Sequence, residues 1–168
     1  MGAFDYLCVP LTCPHCGQAS VGVEPFDLDC QTKVRHRPDG SCLRLGERHE
    51  LLADVADQYW RTTNTPRPSP LRVIDEWVCS KCGLNYLWVK AVWVEGVLSS
   101  ARAIYLTEAE LADCDYITNA CTDIVEGDPR TPNEITNLPL PEFRTVLARA
   151  EAVRWSRIRA EDAVRPVH

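Results

Sequence analysis

No stretch of the chain approaches the about 18 consecutive apolar residues that a membrane-crossing helix needs, and the opening MGAFDYLCVP has neither a basic leader nor a long apolar core. These absences predict neither a membrane span nor a secretion signal, and therefore a cytoplasmic protein. Gly2 does not mark a myristoylation site, because Tyr6 stands where that motif requires Ser or Thr. Low-complexity tracts are missing too, and the only internal repetition is a short cysteine motif. Positive charge is in short supply: 18 Lys and Arg face 24 Asp and Glu, for a net charge of −6. A chain with that balance is disfavoured as a nonspecific nucleic-acid binder that neutralises many phosphates.

What is present is enough to build a core. The 168 residues are 45% hydrophobic and include five Trp, five Tyr and three Phe, which is apolar area enough to offset the ordering entropy of one domain. Nine cysteines in a chain without an export signal point to metal binding rather than to disulfides.

Four of those cysteines carry the clearest signal. LTCPHCGQA and VCSKCGLNY each hold Cys-x-x-Cys-Gly, with Cys13 and Cys16 in the first and Cys79 and Cys82 in the second. Zinc takes four ligands at tetrahedral corners, and one tight bend offers two thiolates while the glycine behind it turns amides toward sulfur. Two such bends complete a shell for one zinc per chain. Iron at a rubredoxin-like site is the less favoured occupant of the same four thiolates. A redox dithiol is disfavoured, because both motifs lie between strand-like segments rather than at the start of a helix in a parallel α/β pattern. A closed four-thiolate shell leaves no open position for substrate, so the metal is expected to be structural.

After the second motif, LNYLWVKAVWVEGVLSSARAIYL predicts two strands over about 84–94 and 97–106 around a tight Glu95-Gly96 turn. Tyr86, Trp88, Val92 and Val94 share one face of the first strand, and Leu87, Val89, Ala91 and Trp93 the other, so that strand is expected to be covered on both sides. LRVIDEWV supplies a third. Between the two cysteine motifs an inserted hairpin is expected over about 23–52, reversing at Arg37-Pro-Asp-Gly40, followed by a Pro-rich loop at 62–70. Thr107 with Glu110 predicts a capped short helix, 122–141 reads as loop, and 141–164 reads as a long amphipathic helix with Phe143, Val146, Leu147, Ala150, Val153 and Ile158 on its apolar stripe.

The expected architecture is thus α+β: a β-rich zinc ribbon with rubredoxin-like knuckles and an inserted β-hairpin over residues 1–106, and a helical C-terminal extension over 107–168. The extension is expected to pack on the sheet or to pair with a second copy of itself as a homodimer. A basic recognition helix using Arg144, Arg149, Arg154, Arg157 and Arg159 is the alternative, weakened by four acids in the same segment.

Several other groups invite a reading. Cys30, His36, Cys42 and His49 fall on the expected hairpin and form a candidate second metal site, against which buried free thiols and surface histidines are the commoner outcome. Lys33, Arg35, Arg37, Arg44 and Arg48 form a candidate nucleic-acid patch on the same hairpin. Cys8 could replace a ligand of the first knuckle, and Cys114 and Cys121 are isolated thiols without an evident base. Tyr59, Trp60 and Arg61 read as core or, less often, as a docking spot.

The opening MGAFDYL, the first Cys-x-x-Cys-Gly, the CQTK at 30–33 and the second knuckle resemble a loose group of small zinc-ribbon proteins of bacteria and their phages. The resemblance covers about residues 1–106. It implies a zinc-ribbon fold with ligands at Cys13, Cys16, Cys79 and Cys82, and it implies no activity. Together these readings give, as expectation, a noncatalytic zinc protein that fixes a surface for a protein partner. The alternatives are a nucleic-acid binder and a metalloenzyme or electron carrier.

Overall fold

The computed structural model describes residues 4–20, 28–52, 60–65 and 69–164. Tyr59, the first residues of the expected hairpin and the middle of the Pro-rich loop lie outside them. The β-branched and aromatic runs of the sequence become the long strands β6 (Leu71–Cys79), β7 (Leu87–Val94) and β8 (Val97–Ile104). They form an antiparallel meander, in continuous register from Leu71↔Trp93 to Trp77↔Leu87 and, with one bulge between Val92 and Trp93, from Trp88↔Ile104 to Val94↔Val97. The turn between β7 and β8 puts Glu95 at φ 50° and Gly96 at φ 80°, the left-handed pair of a tight hairpin. A glycine is required there twice over, since a Cβ on Gly96 would come within 2.9 Å of the His49 carbonyl.

The sheet continues beyond the meander. The order is β5 (Trp60–Thr62), β9 (Tyr116–Thr118), β6, β7, β8, with β2 (Leu28–Asp29) pairing with the Cys79 end of β6. Strand β9 runs parallel to β6 and antiparallel to β5, so a segment assigned from the sequence to the helical extension lies inside the main sheet. Its three residues are all buried, too short a run to stand out as a strand.

The reversal at 37–40 is present, with Gly40 at φ 80°, but the strands flanking it do not form the expected hairpin with each other. Strand β1 (Asp5–Leu7) lies between them, antiparallel to β3 (Gln31–Thr32) and parallel to β4 (Cys42–Leu43). Asp5 explains the arrangement. Fully buried, its carboxylate accepts from Arg35 Nε at 2.7 Å and from the backbone N–H groups of Asp39 and Ser41 at 3.3 and 3.2 Å, so the reversal closes on the N-terminal strand.

Two apolar layers result, one on each face of the large sheet. Leu71, Val73, Trp77, Val89, Ala91 and Trp93 pack with Leu7, Val9, Leu11, Val34 and Leu43 around the small sheet. On the opposite face Ile74, Trp88 and Ile117 pack with Leu111, Ile124, Ile135, Phe143 and Leu147 of the helical segments. Strand β7 is covered on both sides as its sequence predicted, apart from Val94, which is 45% exposed at the turn.

Helix α1 (Glu108–Ala112) starts where Thr107 predicted, with the Thr107 side chain accepting the Glu110 N–H. Glu110 does not complete a capping box, because its carboxylate is drawn to Lys90 and Arg102. The stretch read as loop holds a 3-10 helix over Asn119–Ile124 and helix α2 (Pro132–Thr136), which has the full capping box between Thr131 and Glu134. That Thr-x-x-Glu is legible in the sequence, but the surrounding prolines and acids outweigh it there. Helix α3 (Leu140–Val164) runs as expected, yet its buried face is Phe143, Leu147, Glu151, Arg154 and Trp155. Val153, assigned to the apolar stripe, is 62% exposed. The buried polar pair makes this possible, since Glu151 accepts from Trp155 Nε1 at 2.8 Å and from Arg154 Nε at 3.3 Å.

Candidate metal centre

Each knuckle is a bend closed by the same pair of backbone hydrogen bonds. Cys13 N–H donates to the Gln18 carbonyl at 2.9 Å and Gly17 N–H to the Cys13 carbonyl at 2.9 Å, while Cys79 N–H donates to Leu84 at 3.1 Å and Gly83 N–H to Cys79 at 2.7 Å. Gly17 and Gly83 sit at φ 70° and 71°, and open space lies where a side chain would project from either, so backbone conformation rather than crowding selects glycine. The first bend lies on the short Thr12↔Ala19 bridge and the second joins β6 to β7.

Folding brings the two bends face to face. The sulfur atoms of Cys13, Cys16, Cys79 and Cys82 all lie within 4.8 Å of one another. Cys13 Sγ is 3.9 Å from Cys82 Sγ, and Cys16 Sγ is 3.8 Å from Cys79 Sγ. Four thiolates about 2.3 Å from a central ion stand about 3.8 Å apart at the corners of a regular tetrahedron, so these contacts suit a tetrahedral ion. The four cysteines are close enough to hold a metal ion.

Burial pushes the Cys13 thiol up to about 12, and burial also raises Cys82. At Cys79 burial again pushes upward, but the amides of Cys82 and Lys81 and the neighbouring thiols outweigh it and leave that group below its ordinary value. Four crowded thiols cannot all ionise together without a cation among them.

Helix α3 contacts both bends, a feature the sequence did not reveal. Arg154 donates to the carbonyl of Tyr86 on the exit of the second knuckle, and His15 Nδ1 inside the first lies 3.4 Å from Asp162 Oδ2. Tyr86 holds φ 52°, and its hydroxyl donates to Asp123 at 3.3 Å. Only the three-dimensional course of α3 brings Arg154 and Asp162 to the knuckles.

The candidate second metal site is not assembled. Among the described residues the four knuckle cysteines are the one group with metal-ligating spacing. Cys42 is joined to Cys8 in a disulfide, with Cα atoms 5.4 Å apart, because the parallel pairing of β1 and β4 sets Tyr6 opposite Cys42. The same bond removes Cys8 as a substitute ligand and corrects the reading of the cysteines as metal ligands rather than disulfide partners at this one pair. Cys30 is buried in the core, His36 is exposed, and burial lowers the basicity of His49.

The basic candidates are dispersed as well. Arg35 is spent on Asp5 and Asp39, Arg48 donates to the Glu95 carbonyl, and Lys33 Nζ lies 5.2 Å from the centre of the Phe4 ring. Arg37 and Arg44 are exposed. On α3, Arg144 binds Thr63 and Asn64, Arg157 pairs with Glu126, and Arg159 donates to the Trp155 carbonyl. Arg61 stacks on Phe143 with 4.0 Å between guanidinium and ring centre, which makes it a core contact. Burial pushes Cys114 up to about 12 and raises Cys121 far above the ordinary thiol value, so both stay protonated at neutral pH.

The fold and this site define a mixed α+β protein with two sheets, a C-terminal helix and one four-cysteine group able to hold a metal ion. No family model, curated protein or solved structure matches the chain.

Proposed function

We propose that the protein is a zinc-ribbon scaffold in which one zinc ion, held by Cys13, Cys16, Cys79 and Cys82, fixes a surface for a protein partner and takes no part in chemistry. The observation that carries this reading is the pairing of two knuckles of matched backbone geometry with sulfur contacts of 3.8 and 3.9 Å. A tetrahedral set of four sulfurs suits zinc or iron, and a shell closed by four thiolates offers substrate no vacant position. The ion would tie the N-terminal segment to the junction of β6 and β7, two parts of the chain far apart in sequence, and so stabilise the fold by its binding free energy.

The nucleic-acid reading is the weaker one, because Arg35 is held by Asp5 and Asp39 and Arg48 by the Glu95 carbonyl. Elemental analysis of purified protein, with a visible spectrum of the same sample, tests the proposal. One zinc per chain in a colourless protein is expected. Iron with visible absorption would overturn the zinc assignment, and retention of the full metal load by Cys79→Ser would overturn the ligand set. Sedimentation of the intact chain and of Val153→Arg distinguishes a homodimer built on the outer face of α3 from a partner of another kind.

A further inference from the structure

Strand β6 carries an anomaly on the face it turns to the small sheet. Val73 and Trp77 on that face belong to the apolar core, and between them stands Asp75, only 3% exposed. An aliphatic side chain there would extend the core. Instead a carboxyl is buried, and although its Oδ1 accepts the Glu76 N–H at 3.1 Å, its Oδ2 meets no hydrogen-bond partner among the described residues. Nearly all buried polar groups in proteins are satisfied, so an orphan of this kind calls for a reason.

The reason lies in front of it. Asp75 lines a cavity of about 320 Å³ between the small sheet and the large one, at the lower end of the range of ligand sites. Gln31, Thr32 and Lys33 wall it on one side and Glu76 and Val78 on the other, with Phe4 and Asn119 also at its boundary. The Thr32 hydroxyl is buried beside Asp75, near enough to favour the ionised form of its carboxyl, yet neither that hydroxyl nor Asp75 Oδ2 completes a well-formed hydrogen bond among the described residues. Among the described residues at its boundary, Asp75 brings the buried carboxyl and Lys33 an ammonium, and Phe4, Val78 and Ala120 supply apolar walls suited to a flat body.

We propose that this cavity binds a small organic cation with planar N–H donors, of the guanidinium or amidinium class, anchored on the Asp75 carboxylate. The Asp75 carboxyl gives up its proton as the cation enters, and the carboxylate so formed takes such a fork in two parallel hydrogen bonds, with Oδ2 accepting one of them. A metal cation is a poorer occupant, since the cavity is far larger than an ion and the site offers few convergent oxygens. Glu76 supplements the field, and the Thr32 hydroxyl takes or gives one further hydrogen bond. The site is separate from the four cysteines and does not depend on which metal they hold.

Calorimetric titration of the intact, metal-loaded protein with benzamidine tests this, with benzamide as the neutral match of the same shape. The expected result is saturable benzamidine binding with a Kd below about 1 mM and no detectable binding of benzamide. Asp75→Asn, which keeps the shape and removes the charge, is expected to weaken benzamidine by about thirtyfold or more at unchanged metal content. Equal binding of the two compounds, undiminished affinity in Asp75→Asn, or no benzamidine binding at all would overturn the proposal. If the variant fails to fold, amide chemical shifts of the unaltered protein decide. Changes centred on Thr32, Val78 and Ala120 on adding benzamidine support the site, and changes elsewhere overturn it.

Discussion

The two faces of the large sheet are built from the same apolar residue types, but they differ in what their buried acids and thiols meet. On the helix-covered face Lys90 and Glu151 have committed partners. Lys90, 3% exposed, reaches Glu110 and Asp113 at 2.9 and 2.7 Å, and Glu151 is held by Trp155 and Arg154. The face toward the small sheet also pairs one buried carboxylate, Asp5 with Arg35, but it holds besides four thiols gathered without a covalent partner and a second buried carboxyl, Asp75, with an orphan oxygen. Paired charges hold a fold in one arrangement, whereas gathered donors and orphaned acceptors are what a metal or a ligand would complete. The helical face therefore reads as support and the other as the working side of the molecule.

The sharpest way to break this contrast is to remove the proposed metal. Cys79→Ser, or prolonged treatment with a strong chelator, is expected to cost more than about 4 kcal/mol in denaturant unfolding. Hydrogen exchange should rise first at Leu7, Val9 and Leu11, with the amides of Ile117 and Leu147 protected for longer. Equal loss of protection on both faces would show that they are one cooperative unit.

The reverse experiment attacks the supporting face. Phe143→Ala removes a fully buried ring on which Arg61 stacks, and it should destabilise by about 3–5 kcal/mol while leaving the metal content of the folded protein unchanged. Loss of metal at low denaturant in this variant would mean that α3, through Arg154 and Asp162, is needed to hold the knuckles together.

Asp75 gives a titration that separates the faces by pH. Burial pushes its carboxyl well above the usual carboxylate range and the negative charge of Glu76 acts in the same direction, while the nearby Thr32 hydroxyl and the Glu76 amide oppose the rise without offsetting it. The folded state thus binds a proton that the unfolded chain releases near pH 4, so this group's contribution is fully present below that pH and declines as pH rises toward its folded value. Comparing denaturation curves of the parent and Asp75→Asn from pH 4 upward should show the parent losing ground at up to about 1.4 kcal/mol per pH unit. Lys33 and Glu76, the other charged groups among the described residues at the cavity, are common to both proteins and cancel in the comparison. Parallel curves would show that the carboxyl is not protonated by burial. The smallest expected effect is at the edge of the supporting face: Thr131→Ala removes the capping box of α2 and should cost about 1 kcal/mol by thermal denaturation, with no change in metal or ligand binding.

Much of this contrast is hidden in the linear pattern. The knuckles are legible because Cys-x-x-Cys-Gly specifies a bend locally, and the 87–104 hairpin because Glu95-Gly96 interrupts a run of β-formers. The boundaries of α3 are legible from the absence of Gly and Pro, but its pattern misplaces Val153, because Glu151 and Arg154 are polar in sequence and become core only through each other and through Trp155. Asp75 gives no signal within LRVIDEWV, since an acid in a strand is ordinarily a solvent-facing residue.

By itself the sequence determined the elements whose signals are local: the two bends, the meander from Leu71 to Ile104, the start of α1 at Thr107 and the length of α3. The tertiary structure alone decided what meets across long separations. It inserted Asp5–Leu7 between β3 and β4, brought Cys8 to Cys42, threaded Tyr116–Thr118 beside β6 and set α3 against both knuckles. Turn and helix signals are energies of neighbouring residues and can be read in order along the chain. Strand pairing and the burial of Asp5 and Asp75 depend on which distant segments share a surface, and that is fixed only when the whole core is formed.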